Sequence, residues 1–540
     1  MTYMNVTKAT LSTLSPVHLG SGEDFFPTNY VIDDNGWLHS FNEMVIAQAL
    51  GNKLEQIKGI IHREHGEQML LSIQRLIHDN RDKLAMLAAT SIPVATGFQT
   101  LYKSRIGQVA QRENNRRNVI NQLPIMRTFI NPHTHLPIIT GSAIKGAIRT
   151  AILNGLAIKA GLRRPQDVTM PKKLANNLLK FDNPTTDPLK LLKISDAEYH
   201  NTDQLPATEI VFAVSKRRIA KAGKTAGGPT TNLEAVSGFR SQSFVFDIRF
   251  VNNPSQDPNH KLPKDIGELA KICNDYYLPK LNKELLELDE MNYLDGAFVR
   301  GLQQLLNGQL GQALQQNKAF LLRLGKHSGA YNKTLDNIRQ IYIPQHKKSV
   351  SEPPEVRLAA TTSSQQAVNL LPFGWVVIEL NEISLQELGT FLKQQAKQHN
   401  AYQLRDTLIN FKQQQTTQQA KLEQQRLDEL KEIEEKRLQE EQARLQAEAE
   451  KNKPIHEQTL KRLKDSFELD KQTKKSQNRQ FQQPASILGQ ELIHLVDSFS
   501  SDWPADAKEG FKKLVSEVFS YLGVDRRKNK KASELWQKIN

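Results

Sequence analysis

Cysteine is nearly absent from this 540-residue chain: Cys273 is the only one. No intrachain disulfide can form, and thiolate zinc sites of the two-plus-two kind are excluded. A reducing, cytoplasmic location is the expectation. No apolar run reaches the roughly eighteen residues that a bilayer core requires. No charged start precedes an apolar stretch in MTYMNVTKATLSTL, so no secretory leader is expected either. Catalytic signatures are missing as well: there is no H-E-x-x-H and no G-x-S-x-G. His133 and His135 in NPHTHLP read as a turn rather than a metal pair, and Asp196 in KISDAEY is a lone carboxylate suited to capping a turn. The sequence therefore supplies no catalytic residue, no metal site and no cofactor.

What is present is positive charge. Lys and Arg number 72 against 58 Asp and Glu, a net +14 at pH 7. Such a surplus favours a polyanionic partner, because phosphates neutralised by protein cations release counterions. The composition changes near residue 400. Before it, apolar strands, glycine turns and helices alternate, as in a mixed α and β region. From Gln403 to Lys453 there is no Gly or Pro, which reads as one long polar helix, with Glu432 and Lys436 as a favourable i,i+4 pair. Its heptad seam is poor, so an exposed spacer helix is expected rather than a coiled coil. Pro454 ends it, and KQTKKSQNRQFQQP reads as a linker to Pro484. The boundaries expected are thus 401–484 for helix and linker and 485–540 for a small helical domain. In the latter, Ile487, Leu488, Leu492, Leu495 and Val496 form one apolar stripe and Phe511, Leu514, Val515, Val518, Phe519 and Leu522 another. Leu535, Trp536 and Ile539 complete a three-helix cluster, Gly523 marks a helix stop, and DRRKNKK at 525–531 is a basic run.

Three segments combine glycine with groups that hold anions. In His18-Leu19-Gly20-Ser21-Gly22-Glu23 a strand around Leu11, Leu14 and Val17 runs into a two-glycine loop whose N–H groups suit a phosphate. It lacks the third glycine and the helix of a dinucleotide fingerprint. In LPIITGSAIKGAIRTAIL a short strand turns at Thr140-Gly141-Ser142 into a helix. Ile144, Ile148 and Ile152 face its core side, and Lys145 and Arg149 share the neighbouring face. Free N–H groups at the helix start, with Ser142 and Lys145, form an anion site. Lys145 precedes Gly146 rather than following a glycine, so this is no Walker loop, and Gly146 is expected to let another backbone approach. In Gly325-Lys326-His327-Ser328-Gly329, followed by Lys333, two bases accompany a flexible backbone, and Thr334 is a candidate N-cap for a helix beginning TLDNIRQI. Lys103, Arg105, Arg116, Arg117 and Arg127, and Lys216, Arg217, Arg218, Lys221 and Lys224, would extend the basic surface.

Taken in order, TLSPVHLGSGE, LPIITGSAIKGAIRTAIL, PLKLLKISDAE, FLLRLGKHSGAYNKT and PPEVRLAATTSSQQAVNLLPFGWVVIEL resemble the RAMP proteins of CRISPR ribonucleoproteins. They look most like the Csm-type subunit that caps the guide RNA 3′ end in type III-A complexes. The resemblance covers roughly residues 5 to 382. It implies an α+β fold of two RRM-like (ferredoxin-like) modules, at 1–250 with helical insertions and at 251–400. It implies guide (CRISPR) RNA lying against Gly20, Ser21 and Gly22, against Gly141, Ser142, Lys145 and Arg149, and against Gly325, Gly329 and Lys333; His18 and Lys326, in the same loops, are read as RNA contacts beside them. It further implies a non-catalytic role in antiviral defence, with neighbouring backbone subunits and a trimming nuclease as partners and no membrane. Thr140 stands where the family commonly has proline, and His327 where a small residue is common. The alternative within the superfamily is a guide-processing endoribonuclease using His18 or His327 for acid–base work.

Overall fold

The computed structural model describes residues 3–108, 111–112, 118–119, 123–200, 203–218, 226, 228–343, 347–381, 383–477 and 479–540. Arg116, Arg117, Lys221 and Lys224 lie outside the described residues. The chain is a mixed α and β protein that divides into two compact units, Met1–Gln419 and Ala420–Asn540.

In the first unit, a six-element succession builds the main sheet. It comprises β1 (Met4–Thr13), α1 (Gly141–Lys159), β2 (Ala197–Tyr199), β3 (Arg240–Val251), α2 (Ile266–Glu290) and β4 (Trp375–Leu380). The sheet order is β4-β1-β3-β2 and every neighbouring pair is antiparallel. Strand Ala319–Arg323 adds outside β4, and Ile138–Ile139 outside β2. Alternation sets the faces of β1: Ala9 and Leu11 are buried, while Val6 on the other face is exposed. Strand β4 is buried along its whole length, as befits a strand with partners on both sides and α2 over one face. Tyr277 of α2 meets Trp375 of β4 edge-on, with ring centroids 6.4 Å apart. Its hydroxyl donates to the Ala147 carbonyl of α1 at 3.1 Å, tying the two helices together.

A second sheet runs Leu371–Pro372, Glu355–Ala360, Thr208–Arg217, Thr231–Val236, Ile125–Thr128, Gly20–Phe25. Both sheets take strands from before and after residue 250, and one apolar core joins them. The segments 1–250 and 251–400, expected as two modules, therefore fold as one unit. The reason is strand pairing: β1 needs β4, and Thr208–Arg217 needs Glu355–Ala360.

The long helix is present, as Ala401–Lys451, with a Glu432–Lys436 pair at 3.5 Å. Its first turns belong to the first unit. Ala401 is buried in the core, Phe411 lies 4.8 Å from the His39 ring, and Gln415 donates to the Ala85 carbonyl at 2.7 Å.

The second unit closes its own core with four helices: Ile455–Thr473, Ile487–Val496, Ala505–Tyr521 and Lys530–Ile539. The sequence reading starts this module at 485. Leu463, Phe467 and Phe481 are buried in it too, so its core reaches back through the stretch read as a linker. Ile487, read as part of the apolar stripe, is 61% exposed. Gly523 ends its helix at φ +67°. Among the described residues no helix is long and apolar enough to cross a membrane.

Candidate functional site

The first and third glycine segments, about three hundred residues apart in the sequence, meet in space. Reciprocal backbone bonds between Val17 and Val236 (3.0 and 2.7 Å) fix the chain just before His18. The His18 ring is fully buried, and its Nδ1 lies 2.6 Å from the Glu234 carbonyl oxygen. Nδ1 therefore carries the proton and Nε2 is the acceptor. The His18 carbonyl in turn accepts the Lys326 N–H at 2.8 Å. Gly325, at φ +80°, sits in that seam. A Cβ there would lie 2.3 Å from the His18 oxygen, so glycine is required both for its torsion and for its lack of bulk.

Residues beyond His18 form an edge strand rather than the open loop that the two glycines imply. Gly20 pairs with Thr128 and Asp24 with Met126, and the register slips between them. The extra residues bulge outward around Gly22, at φ +86°, with the Ser21 hydroxyl donating to the Arg127 carbonyl at 3.3 Å. Arg127 stacks over Phe25 at 4.3 Å and pairs with Glu23 at 3.2 Å. Across the seam, Lys326 is exposed and its Nζ reaches Met126 Sδ at 2.9 Å. The exposed Lys333 donates to the Gly325 carbonyl at 2.8 Å, and the Ser328 hydroxyl donates to the same oxygen. Gly329 holds φ +78° with open space where a Cβ would stand. The result is a bulged strand and a basic loop side by side, offering backbone N–H groups and the ammonium groups of Lys326 and Lys333.

Two histidines lie within this arrangement. Neither the Nε2 of His18 nor that of His327 has a hydrogen-bond partner. Burial lowers the His18 pKa from its usual value. Burial first, then the charges of Lys326, Arg357 and Lys333, push His327 down to about 3. Both rings are neutral at physiological pH. Beneath them, the Glu234 side chain accepts from the Thr128 N–H at 3.2 Å. Burial pushes its carboxyl up to about 7, against the opposing charge of Arg127. Glu234 thus holds His18 by its backbone and the partner strand of Gly20 by its side chain. Glu234 and Met126 escaped the sequence reading, since no motif marks them and each lies on a strand distant in sequence from the loop it serves; Arg357 lies within PPEVRLAATT but was not singled out there.

The second segment stands on other elements. Helix α1 begins as expected, with the Thr140 hydroxyl accepting from the Ala143 N–H and Ile144, Ile148 and Ile152 buried. Its anion-binding capacity is partly used within the protein. The Gly141 N–H donates to Asp196 at 2.7 Å, and Arg149 pairs with Asp187 at 2.7 Å. Gly141 is needed because a Cβ would lie 2.3 Å from the Ile194 carbonyl. Gly146 is not used as expected: nothing lies within 4 Å of its missing side chain. Ser142 is exposed and Lys145 half-buried, its ammonium pKa lowered by desolvation first. These two remain open to a ligand.

Other expectations require correction. Thr334 caps no helix. Its hydroxyl donates to the Ala330 carbonyl and accepts from Arg339, while Asp336 is taken up by Lys280 and Arg339, so side-chain bonds replace the helical ladder. Arg218 does not extend a basic surface: it is buried against Glu287 (2.9 Å) and Glu284 (3.7 Å). Lys103 is paired with Asp34 at 2.8 Å. Among the described residues no three His, Cys, Asp or Glu side chains gather as metal ligands.

The RAMP superfamily model matches residues 10–311, more than half of the chain and a span that includes the first glycine segment and all of α1. The chain belongs to the RAMP superfamily. Among solved structures, this RAMP protein is similar to a chain in a cryo-EM structure of a Csm–crRNA–target RNA ternary complex of a type III-A CRISPR-Cas system. The identity is 15% and the TM-score 0.43, over 69% of this chain and 100% of that one. It is likewise similar to Csm5 of T. onnurineus, with 17% identity and a TM-score of 0.40, over 68% of this chain and 99% of that one. No curated protein matches this RAMP chain.

Proposed function

We propose that this RAMP protein is an RNA-binding, non-catalytic subunit of a type III CRISPR effector complex, one that caps the 3′ region of the guide RNA against a neighbouring backbone subunit. The observation that carries this reading is the seam between the two glycine segments. Bulged backbone at Gly20 to Gly22 and the cations Lys326 and Lys333 converge on one surface, and phosphates are bound by such backbone N–H groups and ammonium groups. The β-α-β-β-α-β succession with order β4-β1-β3-β2 fits an RRM-like module, though one assembled from the whole first unit rather than from half of it. Ser142 and Lys145 at the start of α1 are further phosphate contacts in this reading. A trimming nuclease is the partner that would set the RNA end such a cap covers, and the cytoplasm is where the assembly would work. To test it, the complex is purified from cells and its RNA sequenced. Guide RNA is expected with wild type, and the Lys326→Gln, Lys333→Gln double variant should lose the 3′-terminal guide segment. Identical RNA ends in both would refute the cap.

The guide-processing alternative draws on one observation, the two unpartnered Nε2 atoms. Cleavage by acid–base catalysis needs an imidazole within reach of the 2′-OH and a protonated partner for the leaving oxygen. His18 is wholly buried, and His327, with a pKa near 3, is not a proton donor at neutral pH. We therefore expect no metal-independent cutting of a guide precursor. Cutting that disappears in His18→Ala or His327→Ala would reverse the assignment.

A further inference from the structure

The second unit carries a basic surface that the reading above does not use. Its helix Ile455–Thr473 ends at Lys474, in left-handed conformation, and a fixed loop follows. Asp470 accepts from the Ser476 N–H at 3.1 Å, and the Ser476 hydroxyl accepts from the Leu488 N–H at 3.0 Å. Phe481 is buried with its ring 5.8 Å from Phe519. A second loop, between Tyr521 and Lys530, runs beside the first. The two are fastened at both ends: the Tyr521 hydroxyl donates to the Asp470 carbonyl at 3.0 Å, and Gln482 donates to Asn529 at 2.9 Å.

This pairing gathers cations that are remote in sequence. Lys474, Lys475 and Arg479 come from the first loop, and Arg527, Lys528, Lys530 and Lys531 from the second and the helix start after it. All seven are exposed. Of these, only Lys531 has a carboxylate drawn to it, Glu534 at 3.7 Å. Arg526 is spent on structure, 4.1 Å over the Trp536 ring. Burying Phe481 and capping with Asp470 fix the backbone, so the charges are held together despite their mutual repulsion.

We propose that this two-loop surface binds the phosphodiester backbone of a nucleic acid, independently of sequence and independently of the glycine-segment seam. Two features select this partner. A membrane surface site pairs its cations with apolar side chains that enter the lipid. The exposed large apolar residues of this unit, among them Ile455, Leu469 and Ile487, lie outside both loops. A peptide site supplies an apolar pocket for an anchor residue, and the loops turn their large apolar side chains, Phe481, Leu522 and Val524, toward the interior. Closely spaced Lys and Arg on fixed loops without such an anchor are the chemistry of backbone contact.

The test uses the full chain, purified without RNA, and fluorescence anisotropy across a KCl series. The probes are a single-stranded RNA unrelated to any guide and a DNA duplex. The Arg527→Gln, Lys528→Gln, Lys530→Gln variant should bind at least one probe about tenfold or more weaker. Its salt slope on RNA should fall by about two, at about 0.7 per phosphate contact on a single strand. Which probe responds identifies the strand type. The Lys326→Gln, Lys333→Gln variant serves as the second arm. If it alone lowers affinity and slope, the two-loop proposal is overturned while the seam stands. If the two-loop variant alone does so, the seam reading fails instead. Wild-type binding to phosphatidylserine vesicles with none to either nucleic acid would also overturn the proposal. Unchanged melting of the triple variant ensures that a lost slope reports charge rather than unfolding.

Discussion

Gly325 and Gly329 are four residues apart and both adopt positive φ, yet only one has a neighbour where a Cβ would stand. That difference makes a clean pair of substitutions. Gly329→Ala meets torsional strain alone, on the order of 1 kcal/mol. Gly325→Ala adds a collision with the His18 carbonyl, and about 3 kcal/mol or more is expected, with release of the loop from the seam. Thermal melts of the two variants measure it; equal losses would mean that the seam is not tightly held. Glu234 allows a second test at this scale. Burial raises its carboxyl to about 7 from the usual 4.5, so the folded chain holds this proton where the unfolded chain releases it. Folding stability contributed by this group is therefore lost as pH rises from about 4.5 to about 7. Glu234→Gln, which has no proton to lose, should match wild type near pH 4.5 and exceed it at pH 8. The size is on the order of 3 kcal/mol, at about 1.4 kcal/mol per pH unit. Denaturant titrations at the two pH values check the sign.

Helix α1 shows what one element does with two cations four residues apart. Arg149 is committed to Asp187, whereas Lys145 is not committed to any carboxylate at bonding distance. Arg149→Ala is expected to cost about 1 kcal/mol of stability, and Lys145→Gln little. On RNA, Lys145→Gln should lower the salt slope by about 0.7, as measured by anisotropy; a slope that falls only with Arg149→Ala would exchange their roles. This helix was legible in the sequence because Thr140 stands at its start, isoleucines recur four apart and no proline interrupts it, despite Gly146 and Gly155 in its interior. The long helix was legible from its lack of Gly and Pro. The strand Gly20–Phe25 was not, since two glycines argue for a loop and only pairing with Ile125–Thr128 makes a strand of it. Phe481 was missed because one aromatic among Gln, Asn and Lys has no periodicity to betray its burial. The helix expected at Thr334 failed because Asp336 and Arg339 found tertiary partners worth more than a ladder. Each of the two glycine segments could be picked out locally, but their meeting depends on strands that no local pattern joins.

At the scale of the molecule, the unit boundary decides where the chain can be cut. A break near residue 400 looks natural from composition, but it removes Ala401 from the core, Phe411 from His39 and Gln415 from Ala85. A chain ending at 419 should keep the melting temperature of the first unit, and one ending at 400 should melt lower by several degrees, as differential scanning calorimetry would report. Limited proteolysis is expected to cut first within the exposed polar helix beyond Gln419 or near Pro454, not at Phe481. Early cleavage between Lys474 and Pro484 would contradict the buried anchor found there.

The order in which the first sheet is assembled has a consequence for synthesis. Strand β1 is translated first, yet its partners are β3, ending at Val251, and β4, ending at Leu380. At roughly 5–20 residues per second, several hundred residues take on the order of 20–70 s to appear. Throughout that interval the nascent chain carries an apolar strand with open edges, a template for wrong pairing. Its contacts are long in sequence, so closure is also slow once β4 has left the ribosome. Expression of this protein should accordingly depend on holding chaperones and on slow elongation. The His18 to Lys326 bond can form only after most of the first unit has been made, so the seam is a late product of folding that no fragment ending before Lys326 can contain.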